Sequence, residues 1–137
     1  MYISELSIRV RYGETDRMGY VYYGNYAEYF EVARVEAMRN LGLSYKELED
    51  NGILLPVYTY NIAFLKPAFY DDILRIKTKI LRLPQAKIEF EYETYNSSNE
   101  LINTANTVLV FLAKENNRPI KAPDFFLESL KIHFQKK

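Results

Sequence analysis

The chain has no cysteine and no tryptophan, and its single histidine, His133, lies four residues from the C-terminus. The absence of cysteine excludes disulfides, thiol catalysis and cysteine-based zinc sites. With one histidine in that position and no GxSxG sequence, we do not expect a Ser-His-Asp or Cys-His triad. We predict neither a metal nor a cofactor. A hydrolase built from these residues without a metal would use a carboxylate as its base or nucleophile.

The chain also lacks an excess of charge of either sign, and it lacks a long apolar run. Its 18 basic and 18 acidic residues cancel, which argues against a nucleic-acid-binding protein because such proteins usually carry a basic excess. No stretch approaches the ~18 apolar residues of a membrane span, and MYISELSIRV lacks the apolar core of a signal peptide. We therefore expect one domain, residues 1–137, in the cytoplasm.

Aromatic residues are abundant instead, since 13 Tyr and 8 Phe make up 15% of the chain. The tyrosines gather in two groups, within residues 20–29 and residues 58–70. The ordinary interpretation is half-buried packing, in which the ring is covered and the hydroxyl stays in water. The alternative is an aromatic-lined acyl pocket or a subunit interface.

The apolar spacing in the first half of the chain predicts a strand followed by two helices. Residues 3–11 alternate as a strand does. From Asn25 the period becomes helical, and Gly42 ends that helix. Residues 44–50 predict a short second helix capped by Ser44. The apolar stripe of the long helix consists of Tyr26, Tyr29, Phe30, Ala33, Ala37 and Leu41, and Val32 and Val35 widen it.

The second half of the chain predicts four strands, at residues 57–65, 72–82, 86–95 and 101–113. A tight turn near Pro84 would make three cross-strand charge pairs. The last strand is apolar on both parities, so either both of its faces are buried or it contains a bulge. We expect the C-terminal IHFQKK to be frayed or lightly docked. The three expected pairs are Arg75–Glu93, Lys77–Glu91 and Lys79–Glu89.

This order of elements predicts an α+β fold, with a five-stranded antiparallel sheet wrapped around one long helix. Within it, residues 12–34, YGETDRMGYVYYGNYAEYFEVAR, carry the strongest functional signal. They place Asp16 in a polar turn, just before the long helix begins. A carboxylate that faces the unpaired N–H groups of a helix N-terminus can form an acyl-transfer site. Without the residues around it, Asp16 would be interpreted as an Asx-turn or N-cap residue, which is the usual role of aspartate in a turn.

The same stretch resembles the signature of the 4-hydroxybenzoyl-CoA thioesterase family, [YF]-x-[ED]-x-D-x-x-G-x-V-[YW]-x-x-x-Y before a helix. The later segments LKPAFYDDILRIKTKI and LINTANTVLVFLAKENNRPIKAP also resemble the family, so the resemblance reaches about Pro123. It implies a hotdog fold, in which a five-stranded antiparallel sheet wraps one long central helix. It also implies hydrolysis of acyl-CoA to a carboxylic acid and CoA, by a homodimer with shared sites that often pairs into a dimer of dimers.

The resemblance also assigns roles to individual residues. Asp16 corresponds to the catalytic carboxylate, acting as nucleophile or general base. The backbone N–H of Tyr23 corresponds to the donor that polarises the thioester carbonyl. Many relatives carry histidine at this position. Because this chain has tyrosine there, the acid or base role of such a histidine is not available to it. The substrate-binding positions implied are Gly19, Tyr22, Gly24, Asn25 and Tyr26, with Tyr58 and Tyr60 contributed across the dimer.

Several alternatives stay open at this point. Acyl-carrier protein could replace CoA, or the chain could bind acyl thioesters without hydrolysing them. A second hotdog branch uses a catalytic glutamate on the long helix, and the candidates here are Glu28, Glu31 and Glu36. Each could instead be a solvated or ion-paired residue on the helix surface, and Glu31 would then pair with Arg34. The basic residues at strand ends that could meet CoA phosphates are Arg82, Lys87, Lys114, Arg118 and Lys121. We interpret Asp71 and Asp72 as turn and strand-start residues.

Overall fold

The computed structural model describes residues 1–135, and these residues form an α+β arrangement of two antiparallel sheets and three α-helices. The main sheet has five strands in the order β1-β4-β5-β6-β3, and β2 and β7 form a separate pair. The elements are β1 (Tyr2–Arg9), α1 (Asn25–Arg39), α2 (Tyr45–Asp50), β2 (Ile53–Leu54), β3 (Val57–Phe64), β4 (Ile73–Ile80), β5 (Lys87–Tyr95), β6 (Leu101–Val110), β7 (Leu112–Ala113) and α3 (Asp124–Lys131). The five-stranded antiparallel sheet predicted from the sequence is confirmed.

The alternation along β4 and β5 sorts their side chains between the two faces of the main sheet. Leu74, Ile76 and Ile80 of β4 are buried, as are Ile88 and Phe90 of β5. The lysines and glutamates between them lie on the opposite, partly exposed face. α1 packs against β1 and β4. The predicted inward and outward faces of both strands are confirmed, because side chains on a strand alternate with a period of two.

The predicted register between β4 and β5 is wrong by two residues. Lys77 lies opposite Glu93 and not opposite Glu91, as the sequence analysis expects. Lys79 likewise lies opposite Glu91 and not opposite Glu89. The chain leaves the ladder over residues 81–86, so the connection is longer than the tight turn expected near Pro84. A two-residue shift keeps every side chain on its predicted face. The charges therefore still meet, and Lys79 pairs with Glu93 at 2.7 Å.

The helical stripe of α1 is confirmed except at one flank. Tyr26, Tyr29 and Phe30 are buried, but the side chain of Val32 is 48% exposed. Val32 lies two residues after Phe30, which places it about 200° around the helix and away from the sheet. The Ser44 cap of α2 is also confirmed, since its hydroxyl accepts a hydrogen bond from the Glu47 N–H at 3.0 Å.

Arg34 of α1 is buried, although no carboxylate within residues 1–135 pairs with it. Its Nε donates to the Tyr45 hydroxyl at 2.9 Å, and its Nη1 donates to the Tyr92 hydroxyl at 3.0 Å. The expected pair between Glu31 and Arg34 is therefore wrong, because Arg34 points into the core while Glu31 is exposed. These hydrogen bonds join α1 to α2 and β5.

The end of the chain differs from its sequence-based description. The predicted strand 101–113 contains a register shift opposite Thr94 and Tyr95, at its start, and it divides into β6 and β7. The sequence analysis also missed α3, whose Phe126 packs on Phe111 with ring centroids 5.2 Å apart. His133 follows in a short 3-10 turn against Tyr2. Residues 136 and 137 of the expected frayed end lie outside the described residues. No helix in the described part of the chain is long and apolar enough to cross a membrane.

Candidate active site

Asp16 lies in a tight turn, where one of its carboxylate oxygens is fixed and the other is free. Its Oδ1 accepts hydrogen bonds from the backbone N–H of Met18 at 2.9 Å and from that of Tyr20 at 3.2 Å. Its Oδ2 accepts none from the residues that the structure describes. Gly19 has a φ of 84° in this turn, a conformation that favours glycine. The turn therefore orients the carboxylate and leaves one oxygen available for chemistry.

The backbone before α1 offers unpaired donors. Gly24 is the N-cap residue, and no side chain caps this helix. The N–H groups of Tyr23 and Gly24 find no acceptor anywhere in residues 1–135. A Cβ at Gly24 would lie 2.7 Å from the Tyr22 ring, so the ring packs closely over the turn. Free N–H groups at a helix start can hold a carbonyl oxygen that gains negative charge.

Asp16 and Tyr23 border one open cavity of about 300 Å³. Asp16, Tyr23 and Tyr26 form one side of the cavity, and the end of β3 with the loop after it forms the other. The Tyr26 and Phe64 rings approach each other across it, with centroids 5.7 Å apart. A carboxylate and helix-start donors beside apolar walls can seat an acyl group and attack its carbonyl. The remaining lining residues are Met18, Tyr20, Val21, Leu65, Lys66 and Pro67.

Tyr26, which lines this cavity, is buried, and its hydroxyl stays protonated at neutral pH. Burial raises the pKa of Tyr26 to about 12, and the nearby Asp72 carboxylate adds to the rise. Asp72 itself accepts a hydrogen bond from the Phe69 N–H at 2.9 Å in the turn before β4, which confirms its assignment as a strand-start residue.

Glu14 is a supporting residue to which the sequence analysis assigns no role, although it fills the acidic position of the quoted signature. Its buried carboxylate accepts hydrogen bonds from the Arg11 side chain at 2.7 Å and from the Tyr29 hydroxyl at 2.8 Å. Its backbone oxygen accepts from the Tyr22 N–H and from the Asn25 side chain. Glu14 therefore ties the segment that carries Asp16 to the start of α1.

The charge of Glu14 should stabilise the fold in a pH-dependent way. Burial alone would raise the pKa of Glu14, but the hydrogen bonds from Arg11 and Tyr29 outweigh it and leave the pKa below its usual 4.5. A lowered pKa means that the stabilisation is complete above about pH 4.5 and is lost as the pH falls through the folded-state value. We expect Glu14→Gln to lower the free energy of unfolding by about 1–2 kcal/mol at pH 7. Urea titrations of both proteins at several pH values measure this difference, and a difference that grows towards pH 3 would contradict it.

The structure does not bring every predicted site residue to this cavity. Tyr58 lies at the opposite end of β3 from Phe64, six residues or roughly 20 Å away. The Lys87 ammonium lies over the Tyr58 ring, 4.6 Å from the ring centroid. Tyr60 lies between these ends and packs on Phe30. Arg82 pairs with Glu89 at 3.0 Å. The assignment of CoA phosphates to Arg82, Lys87, Lys114, Arg118 and Lys121 stays a prediction.

The helix glutamates do not border the cavity, whereas two residues that the sequence analysis missed do. Glu28 and Glu31 are exposed on α1, and Glu36 pairs with Arg39. Phe64 and Lys66 were missed as wall residues. Phe64 could have been found, because it shares the strand parity of Tyr58 and Tyr60. For Lys66, which pairs with Glu100, no such signal exists.

Comparisons with known proteins agree on one family. Residues 10–130 match the thioesterase-like superfamily. YneP of Bacillus subtilis, a candidate acyl-CoA thioesterase, is 36% identical over 121 residues, which cover 88% of each chain. The acyl-CoA thioester hydrolase YbgC of Escherichia coli is 28% identical over 124 residues, 90% of this chain and 92% of that one. The crystal structure of a DHNA-CoA thioesterase from Staphylococcus aureus superposes with a TM-score of 0.88 at 33% identity, and covers 100% of this chain and 98% of its own.

Proposed function

The chain belongs to the thioesterase-like superfamily, and we propose that it is an acyl-CoA thioesterase, which converts acyl-CoA and water to a carboxylic acid and CoA. The observation that carries this proposal is the cavity that Asp16 shares with Tyr23 at the start of α1. One carboxylate oxygen of Asp16 and two backbone N–H groups before α1 are free of partners among residues 1–135. Hydrolysis of a thioester needs an attacking group and an oxyanion donor of this kind.

In the mechanism that we propose, the thioester carbonyl oxygen accepts hydrogen bonds from the N–H groups of Tyr23 and Gly24. The free Oδ2 of Asp16 then acts in one of two ways. As a nucleophile it attacks the carbonyl carbon and expels the CoA thiolate, and water hydrolyses the resulting anhydride. As a general base it instead takes a proton from a water molecule that attacks the carbonyl carbon, after which the C–S bond breaks and the CoA thiolate leaves and takes up a proton. Gly19, Tyr22 and Asn25 shape the turn that holds these groups together.

We also infer that α1 is the central helix of a hotdog fold and that residues 1–137 form one domain. The burial of Tyr26, Phe30 and Ala37 supports the central position of α1. The Phe30 ring stacks on Tyr92 of β5 at 4.6 Å, so the helix also reaches the middle of the sheet. The cytoplasmic location stays a prediction.

We further propose a homodimer joined edge to edge along β3. β3 is an edge strand of the main sheet, and an unpaired edge invites pairing with another chain. Its apolar side chains are unusually exposed: Val57 at 48%, Tyr58 at 64% and Phe64 at 51%. A two-fold axis through an antiparallel pair of β3 strands would place Tyr58 of the partner subunit beside Phe64. Asp16 would then face a pocket completed by residues 57–64 of the partner subunit, and pairing of such dimers into a tetramer stays a prediction.

A hydrolysis screen tests the proposed activity. Short, long and aromatic acyl-CoAs are compared with acyl-carrier protein substrates, and CoA release is followed with a thiol reagent. The chain has no cysteine, so it contributes no thiol to the signal from CoA. We expect turnover of at least one acyl-CoA. A protein that hydrolyses acyl-carrier protein alone would move the assignment to that substrate, and one that hydrolyses nothing would contradict the proposal.

Activity should resist chelators and covalent reagents, because the proposed chemistry uses a carboxylate and backbone donors. We expect EDTA, thiol-directed reagents and serine-directed reagents to leave the rate of hydrolysis essentially unchanged. The measurement is the initial rate after incubation with each reagent, followed through the loss of thioester absorbance where a thiol reagent would interfere. Complete inhibition by EDTA that added metal reverses would contradict the carboxylate mechanism.

A further inference from the structure

A small hairpin carries Asp16 on its first arm, and Glu14 closes this hairpin at its base. The Tyr22 N–H donates to the Glu14 carbonyl oxygen at 2.9 Å, and the two residues next inside form an antiparallel bridge. Asp16 lies two residues beyond Glu14 towards the tip, whereas Tyr23 directly follows Tyr22 at the base. The place of the Glu14 peptide therefore sets how the Asp16 carboxylate lies relative to the N–H donors before α1.

Glu14 also holds the start of α1 at two points. Its carbonyl oxygen accepts a hydrogen bond from the Asn25 side chain at 2.7 Å, and its carboxylate accepts one from the Tyr29 hydroxyl at 2.8 Å. Asn25 is the first residue of α1, and Tyr29 lies about one turn later. The two free N–H groups before α1 lie between the residues held in this way, Tyr22 and Asn25. Glu14 therefore fixes these donors as well as the arm that carries Asp16.

The carboxylate of Glu14 is fully occupied by hydrogen bonds, unlike that of Asp16. It accepts four of them, from the Arg11 backbone N–H at 2.8 Å, the Arg11 Nε at 3.1 Å, the Arg11 Nη2 at 2.7 Å and the Tyr29 hydroxyl. Glu14 is also buried, and a buried carboxylate with this many donors is held in one orientation. Because both of its oxygens are occupied, Glu14 is not available to attack a thioester or to take a proton from water. Its contribution is to hold other groups in place.

We propose that Glu14 is a positioning residue, which sets the distance between the free carboxylate oxygen of Asp16 and the N–H donors of Tyr23 and Gly24. This inference rests on the proposed thioesterase function and deepens it by naming a residue that acts through those groups. Attack on the carbonyl carbon and stabilisation of the oxyanion need both groups in place together, and a displacement of about 1 Å can cost about 100-fold in rate. Glu14 is not one of the residues that line the cavity, so its substitution should alter catalysis more than substrate binding.

Steady-state kinetics of Glu14→Gln test this inference, with the best acyl-CoA from the hydrolysis screen and well below the melting temperature of the variant. Glutamine has the same length, but its NH2 group would meet donors of Arg11 or Tyr29 where a carboxylate oxygen accepts. We expect kcat to fall by about 10- to 100-fold while KM changes by less than about twofold. Tyr29→Phe removes one of the four hydrogen bonds and should lower kcat less, again at constant KM. It serves as the second variant if Glu14→Gln does not fold.

The double variant Asp16→Asn/Glu14→Gln separates positioning from a purely structural role. If Glu14 acts through the Asp16 carboxylate, Glu14→Gln should lower kcat by less than about threefold in a chain that already lacks that carboxylate, because residues that act as a unit are strongly non-additive. A residue that only keeps the chain folded would lower kcat by the same factor in both backgrounds. Equal factors, or a change in KM at unchanged kcat, would therefore overturn the inference.

Glu93→Gln is the matched control, because Glu93 also accepts from a cation, Lys79 at 2.7 Å, and from a tyrosine hydroxyl, that of Tyr95 at 3.3 Å. It lies on the outer face of the main sheet, and its substitution should keep the wild-type kcat and KM. An equal loss of kcat in both glutamine variants would overturn the inference. Wild-type kcat in Glu14→Gln would overturn it too and leave the thioesterase proposal intact, whereas no turnover of any acyl thioester by the wild type would overturn both.

Discussion

Asp16→Asn is expected to lower kcat for the best substrate by at least about 100-fold while the protein stays folded and still binds substrate. Asparagine has nearly the same shape, and its oxygen can still accept the hydrogen bonds that Met18 and Tyr20 donate to Oδ1. Its amide nitrogen, however, would replace the free Oδ2 and is neither an anionic nucleophile nor a base at neutral pH. The measurements are kcat from CoA release and the affinity for a non-hydrolysable acyl-CoA analogue.

Asp71→Asn is the matched control for this substitution. Asp71 lies in the turn before β4, where its carboxylate is exposed and pairs with Arg9 at 3.0 Å. Its φ of 69° is a conformation that asparagine also tolerates. We expect Asp71→Asn to keep the wild-type kcat. If Asp16→Asn hydrolyses at the wild-type rate, Asp16 is not the catalyst, and Glu28→Gln and Glu31→Gln become the next variants to measure.

Mixing two inactive variants should restore activity if the site is shared between protomers. One protomer carries Asp16→Asn and the other carries Tyr58→Ser, and each variant alone should be nearly inactive. In a mixed dimer one of the two sites combines an intact Asp16 with an intact Tyr58 of the partner subunit. Equal mixing makes about half of the dimers mixed, so we expect about a quarter of the wild-type rate. The measurement is kcat per protomer after the two proteins are unfolded and refolded together.

Two controls decide what such complementation means. Tyr70→Ala changes an exposed tyrosine outside β3 and should neither abolish activity nor affect the dimer. Refolding each variant separately and then combining them without exchange should restore nothing. Light scattering at the assay concentration gives the molar mass, and an active monomer would contradict the shared site. A mixture that stays inactive although mixed dimers form would contradict the contribution of Tyr58.

Part of the fold can be predicted from the sequence because local geometry sets the pattern of side chains. Ile76 and Phe90 are recognisable as inward-facing because strand residues alternate, and Tyr26 and Phe30 because a helix repeats every 3.6 residues. The register of β4 against β5 is not recoverable in this way. A shift of two residues leaves the same faces and the same kinds of charge pair, so only the length of the loop at residues 81–86 decides it.

The sequence by itself predicts the kind of chemistry and the segment that would carry it. Without cysteine and with His133 as the one histidine, near the end of the chain, a carboxylate is the natural catalytic group, and the resemblance of residues 12–34 to the thioesterase signature indicates Asp16. This much is local, because a turn and the helix that follows it lie within one short stretch of chain.

Only the tertiary structure decided which residues surround Asp16. Phe64 and Lys66 reach the cavity because β3 pairs with β6 at the edge of the sheet. These residues are about 50 positions from Asp16 in the chain, and the pairing of distant strands depends on which apolar faces can be buried together. Which strands pair therefore depends on the packing of the whole molecule, and it cannot be predicted from any single segment of the sequence.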